Sequence, residues 1–101
     1  MLRESIMVEV ERDLADLVPI FLEQRCKDQM TMERALHTGD FEAMRIIGHG
    51  MAGSGRGYGF NEITEIGEAI EQAARVQNVT ELTQLAARLT DYMARVVVQY
   101  V

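Results

Sequence analysis

The sequence predicts an all-α fold, an antiparallel up-down four-helix bundle with a short N-terminal helical segment. Three observations lead there. Apolar residues recur at spacings of three and four over most of the chain, as in helices with one buried stripe. Residues suited to starting and stopping helices stand between those stretches. The 101 residues, 48% hydrophobic and 26% charged with one proline, suit one ordinary domain spanning 1–101 and exclude a two-domain enzyme or a TIM barrel.

A short helical segment is expected near Glu11, ahead of Pro19, which suits the first turn of the helix that follows. That first long helix buries Val18, Leu22, Met32 and Leu36, with Phe21 on the flank. Arg25 and Gln29 fall on the same stripe, which periodicity leaves unexplained. Cys26 lies at its edge, as a half-buried, inert thiol. His37 sits in the last turn, where partial positive charge complements the helix dipole. Gly39 ends the helix and Asp40 caps the next. Phe41, Met44, Gly48, Met51 and Gly55 form the inner face of the second helix. Asn61 is a candidate N-cap for a third, burying Ile63, Ile66, Ile70 and Ala74. Asn78, with Glu81 three residues on, resembles a capping box and opens a fourth helix with Leu82, Leu85, Leu89, Tyr92 and Val96 inward. Met7 to Val10 and Val96 to Val101 are β-branched enough to make a short two-stranded ribbon the alternative for the ends.

The formal net charge is −6, and of the 10 cations only Lys27 is a lysine. So acidic a surface repels phosphate backbones and anionic bilayers, so neither nucleic acid nor membrane is an expected partner. No apolar run approaches the ~20 residues that cross a bilayer, and no basic-then-apolar leader opens the chain. The lone cysteine excludes an internal disulfide and a cysteine-based zinc site, and suits the reducing cytoplasm, the expected location. A protein partner or a small ligand is expected instead.

One stretch breaks the composition: residues 48–59 hold six of the eight glycines. Gly48-His-Gly50-Met-Ala-Gly53 matches the dinucleotide-binding pattern GxGxxG, but no helix-opening apolar run follows and no βαβ unit fits around it. A flexible surface loop is a second reading, since each glycine costs a helix roughly 1 kcal/mol against alanine. Met44, Met51 and Tyr58 nevertheless hold a seven-residue spacing through the region, which a loop has no reason to keep. The third reading retains the helix. His49 then points away from the buried face, with Arg45 and Ile46 one turn before it, Gly53 one turn after and Arg56 two turns after, flanked by Gly50, Ala52 and Gly57. Such a helix is nearly bare, so another surface can approach an exposed imidazole that is largely neutral at pH 7 and free to act as a nucleophile. Ile46, exposed one turn before the histidine, suits a docking patch.

These residues resemble the histidine phosphotransfer (HPt) domain family. Its helical motif, His-x-Leu-Lys-Gly-Ser-Ala followed by an apolar-Gly pair, is matched by His49-Gly50-Met51-Ala52-Gly53-Ser54-Gly55 and then Tyr58-Gly59-Phe60. Thr38-Gly39-Asp40-Phe41 stands at the family's Gly-Asp connection, and Glu71 with Ala73 and Ala74 at its Glu-x-Ala. The resemblance is strongest over 17–95. It implies a four-helix bundle without an active site of its own, a phosphocarrier rather than an enzyme. It also implies that His49 accepts a phosphoryl group from an aspartyl phosphate on a response-regulator receiver domain and passes it to another. The implied partners are such receivers or a hybrid sensor histidine kinase. No cofactor is expected on this chain, because magnesium and the acidic residues belong to the receiver, and a monomer is expected.

Carried over by position, Gly53 is the small residue that admits the receiver, and Gly59 serves helix termination and packing. Arg45, Ile46, Gly50, Ala52, Arg56 and Gly57 complete the expected docking surface and phosphoryl environment. One position departs from the pattern. The family commonly has lysine three residues after the histidine, offsetting phosphoryl charge, where this chain has Ala52; Arg45 or Arg56 is the expected substitute. The alternative is a docking module of the same fold that binds receivers or kinases without carrying phosphate. Glu68 and Glu71 read as a solvated face.

Overall fold

The computed structural model describes residues 4–101. Strand β1 (Ile6–Val10) leads into a 3-10 turn (Arg12–Leu14) and helix α1 (Val18–Thr38). Helix α2 (Phe41–Ser54), a second 3-10 turn (Arg56–Tyr58), helix α3 (Asn61–Arg75), helix α4 (Val79–Arg95) and strand β2 (Val96–Tyr100) follow. The helices form the expected all-α bundle. α1 packs on α2 and α4, and α3 packs on α2 and α4, so the four close into a ring.

The stops and starts are local chemistry. Gly39, at φ 70°, takes the left-handed conformation that ends α1 at little cost. The Asp40 side chain accepts from the Ala43 N–H at 3.0 Å and starts α2. Asn78 caps α4, accepting from the Glu81 N–H at 3.1 Å, while its Nδ2 donates to Glu81 Oε2 at 3.4 Å. The third helix differs from the expectation: Asn61 is its first helical residue, and Phe60, which offers no side-chain cap, precedes it. Burial sets that entry. Phe60 is fully buried and stacks on Phe21 at 5.1 Å, which fixes where the chain turns into the helix.

Two other expectations shift. The buried line of α1 runs through Val18, Phe21, Arg25, Asp28, Met32 and Ala35, so Phe21 is central, Leu22 and Leu36 are half-buried, and Cys26 faces solvent. Phe21 stacks on both Tyr58 and Phe60, and that aromatic contact rotates the helix away from Cys26. At the ends, the ribbon forms. β1 and β2 pair in parallel with Ile6 opposite Val96 and Val10 opposite Tyr100, and the Val101 N–H donates to the Val10 carbonyl at 2.9 Å. Val96 therefore leaves α4 instead of continuing it. Three successive valines are stiff at χ1 and pack better on a pleated surface, provided a partner strand is present.

Tyr92 of α4 is fully buried among the helices, and among the described residues its hydroxyl has no hydrogen-bond partner. Burial, with a smaller contribution from the Glu62 charge, pushes its pKa up to about 12. A phenol held neutral in the folded state favours folding below the unfolded pKa near 10 and loses that advantage as pH rises through the folded value. Tyr92→Phe is therefore expected to raise stability in urea unfolding at pH 7, by up to ~1 kcal/mol, because it removes an unpaired buried group. The same variant should lack the alkaline loss of stability, on the order of 2 kcal/mol, that the wild type shows between about pH 10 and 12.

Candidate functional site

The glycines of the second helix divide by face. A Cβ on Gly48 would lie 2.6 Å from the Glu71 backbone nitrogen and 2.7 Å from the Gly67 carbonyl oxygen. One on Gly55 would lie 2.7 Å from the Thr64 nitrogen, and one on Gly67 would lie 2.6 Å from the Ala52 nitrogen. These three glycines let α2 and α3 cross with their backbones nearly touching. Gly50, Gly53 and Gly57 have nothing within 4 Å of the place a Cβ would occupy, so the opposite face of the same stretch is bare.

The close crossing builds the site. It brings Glu71, on the side of α3 that meets Gly48, alongside His49. The imidazole of His49 is 74% exposed, and its Nδ1 stands 3.1 Å from Oε2 of Glu71, whose side chain is only 17% exposed. An ionised carboxylate can only accept, so the contact selects the tautomer with the proton on Nδ1 and leaves the lone pair on Nε2. The same Oε2 accepts from Arg75 Nη2 at 3.1 Å, one helical turn further along α3. Histidine, glutamate and arginine thus share one oxygen.

A second tie steadies the turn that carries these groups. Arg25 of α1, 7% exposed, donates from Nε to Asp28 at 2.8 Å and from Nη1 to Ser54 Oγ at 2.8 Å, with its guanidinium 4.9 Å from the Phe21 ring centre. Ser54 in turn donates to the Gly50 carbonyl at 2.9 Å. This accounts for the arginine on the apolar stripe of α1: it is paired, stacked and hydrogen-bonded, as a buried charge must be. Its reach across to Ser54 holds the last turn of a helix whose glycines contribute little helix propensity of their own.

The other expected site residues are spread unevenly. Ile46 is 58% exposed, one turn before His49, as a docking patch requires. Arg45 is half-buried and committed to Glu42, donating from Nη2 at 2.6 Å and from Nε at 3.1 Å. That pairing lowers the Glu42 pKa and raises that of Arg45, to which the nearby Glu71 charge also contributes. Ala52 lies half-buried at the edge of the α2–α3 crossing. Arg56 and Gly57 are exposed but do not continue the α-helix, which ends at Ser54. Gly55 still donates from its N–H to the Met51 carbonyl at 3.0 Å and caps the 3-10 turn that carries Arg56. Arg56 lines a cavity of about 320 Å³ with Glu9, Glu11, Leu14, Gly57, Tyr58 and Gly59. Tyr58 still faces inward and stacks on Phe21 at 4.7 Å. Gly59 closes the turn at φ 91°, and its backbone packs against the Glu9 carbonyl.

Two residues stand beside His49 that sequence spacing by itself does not place there. Glu71 does not belong to a solvated face with Glu68: Glu68 is exposed, while Glu71 is tucked against His49. Arg75 reads in the sequence as an ordinary solvated cation of the last turn of α3. The available signal was the Glu-Arg spacing of four on one helix together with unusual glycines, Gly48 and Gly67, on two successive helices. Among the described residues no group of three His, Cys, Asp or Glu side chains is placed to hold a metal ion, and no helix is long and apolar enough to cross a membrane.

What the arrangement offers is a single exposed nucleophile, oriented from behind by a carboxylate and surrounded by open space. No curated protein and no solved structure matches the chain. A model of the Hpt domain family matches residues 16–99, nearly the whole of the bundle and its closing strand. With four helices in a ring and a lone exposed histidine on the second, the chain belongs to the Hpt domain family, the phosphotransfer modules of two-component signalling.

Proposed function

We propose that His49 is the phosphoacceptor and that this chain relays a phosphoryl group between receiver-domain aspartates. The observation that carries the reading is the His49 Nδ1–Glu71 contact on an otherwise bare helix face. The Nε2 lone pair attacks phosphorus of the receiver's aspartyl phosphate. The phosphorus–oxygen bond breaks and the aspartate leaves as a carboxylate with the bonding electrons. The ring, now carrying both the Nδ1 proton and the phosphoryl group, becomes cationic, and the Glu71 carboxylate balances that charge. Transfer onward reverses the step on a second receiver. Magnesium and the acidic residues that steady the transferring group come with the receiver, and this chain, acting as a monomer, contributes the nucleophile and the surface. Ile46 and the open backbone around Gly50, Ala52, Gly53 and Gly57 form the docking surface, with Arg45 and Arg56 at its margins.

The test is labelling by receiver domains phosphorylated on aspartate, the donor being either free response regulators or the receiver of a hybrid kinase. The chain is expected to gain an acid-labile, alkali-stable phosphate and to lose it to a second receiver. A panel of receivers that bind but never label it would favour the docking module without phosphate chemistry. Gly53→Leu gives a further expected outcome. The position is open, so the bundle should keep its helical signal and unfolding midpoint. The added side chain should hold the receiver's aspartate away from Nε2 and cut transfer by ten-fold or more, since even ~1 Å of misplacement costs on the order of 100-fold. Undiminished transfer rates in this variant would place the docking face elsewhere.

A further inference from the structure

The position that normally carries a cation near the phosphoryl group holds Ala52 here, and the structure offers three arginines as replacements. Arg45 is held by two hydrogen bonds to Glu42. Arg56 stands in the 3-10 turn beyond the end of α2 and lines the cavity it shares with Glu9 and Glu11. Arg75 differs from both. Its side chain is 57% exposed, and among the described residues its one polar contact is to the carboxylate oxygen that holds His49 Nδ1, each at 3.1 Å. Its Nη2 is therefore at most two such contacts from the imidazole, on a long flexible stem free to reposition.

We propose that Arg75 is the phosphoryl-binding cation of this chain, resting on Glu71 before transfer and turning to the phosphoryl oxygens once Nε2 is phosphorylated. The inference rests on His49 being the phosphoacceptor. When the ring becomes cationic it engages Glu71 more strongly. Glu71 then has less need of the guanidinium, and the dianionic phosphoryl group is the competing acceptor within reach. A guanidinium presents a planar fork of donors that matches two phosphoryl oxygens at once, which suits it to that exchange. The cation thus comes from α3, one helix over from the family's lysine.

This role and a merely structural one predict opposite signs. If Arg75 only draws charge from Glu71, its removal strengthens the Glu71–His49 contact and leaves phosphorylation as fast or faster. If it receives the phosphoryl group, removal slows the reaction. The experiment uses phosphoramidate, a small donor that needs no receiver. The Nε2 lone pair attacks its phosphorus, the P–N bond breaks, and ammonia leaves with the proton already on that nitrogen. Arg75→Gln is expected to slow labelling of His49 about two- to fivefold, the scale of one exposed charge pair. Arg75→Lys should recover most of the rate, and Arg88→Gln, the same charge change at a position paired with Glu62 and Glu65, should leave it unchanged. In ¹⁵N spectra the Arg75 Nε–H resonance should move on phosphorylation of the wild type. An unchanged or faster rate in Arg75→Gln, or an Arg75 resonance indifferent to phosphorylation, overturns this assignment while leaving His49 as acceptor. Failure of His49 to label in the wild type overturns both.

Discussion

His49→Gln is expected to abolish phosphate uptake completely while leaving the fold intact. The imidazole is 74% exposed and contributes no core contact, so its removal should shift the unfolding midpoint by no more than ~0.5 kcal/mol, the usual range for a surface substitution. Glutamine keeps a polar group near Glu71, and its amide can donate to the same carboxylate, but it has no nucleophilic nitrogen lone pair at neutral pH. The chemistry should therefore disappear without a structural excuse. Receiver binding, measured by titration calorimetry, should survive in this variant, because the proposed docking surface is Ile46 and the open glycine face, which the substitution leaves in place. Labelling that persists in His49→Gln would move the phosphoacceptor elsewhere, with His37, exposed in the last turn of α1, as the first residue to examine.

Gly48→Ala is expected to be among the most damaging single methyl additions in the molecule, on a par with the same change at Gly55 and Gly67. Its Cβ would lie 2.6 Å from one backbone atom of α3, 2.7 Å from another and 3.0 Å from the Ile70 side chain. Backbone cannot rotate aside as a side-chain tip can, so the two helices must separate. Overpacking of this kind costs roughly 1–3 kcal/mol, against the modest gain from alanine's better helix propensity. Thermal unfolding should show a fall of at least several degrees. Because Glu71 is one of the residues pushed away, His49 should lose its Nδ1 partner, and phosphorylation should slow even at temperatures where the variant is folded. Gly50→Ala is the internal comparison: nothing lies within 4 Å of that added carbon, so stability should hold or rise by a few tenths of a kcal/mol. Equal stability in the two variants would mean that the α2–α3 crossing is looser than described.

The contrast between these glycines also shows where sequence reasoning succeeded and where it stopped. The caps at Asp40 and Asn78 and the stop at Gly39 are local properties, and each appears in the fold where expected, whereas the apolar stripe of α1 is rotated onto Phe21 and Arg25. The exposure of His49 and Ile46 follows from the helical period, given that Met44, Gly48 and Met51 face inward. The extended ends were legible only as an alternative, because five-residue strands depend on a partner 90 residues away in sequence. The change from α-helix to 3-10 turn at Arg56 was not legible, because the spacing of Met44, Met51 and Tyr58 runs through it unbroken.

Amino-acid order by itself determined the four helices, most of their buried residues, the bare face and the histidine on it, because each depends on neighbours within one or two turns. Tertiary structure alone decided what surrounds that histidine. Glu71, Arg75 and Arg25 are charged residues of ordinary helical spacing, and nothing local distinguishes a carboxylate in water from one tucked behind an imidazole. That difference arises only when Gly48 and Gly67 bring two helices close enough for a residue of α3 to stand beside one of α2. Helix periodicity specifies which side a residue faces; the approach of the neighbouring backbone specifies what it meets there.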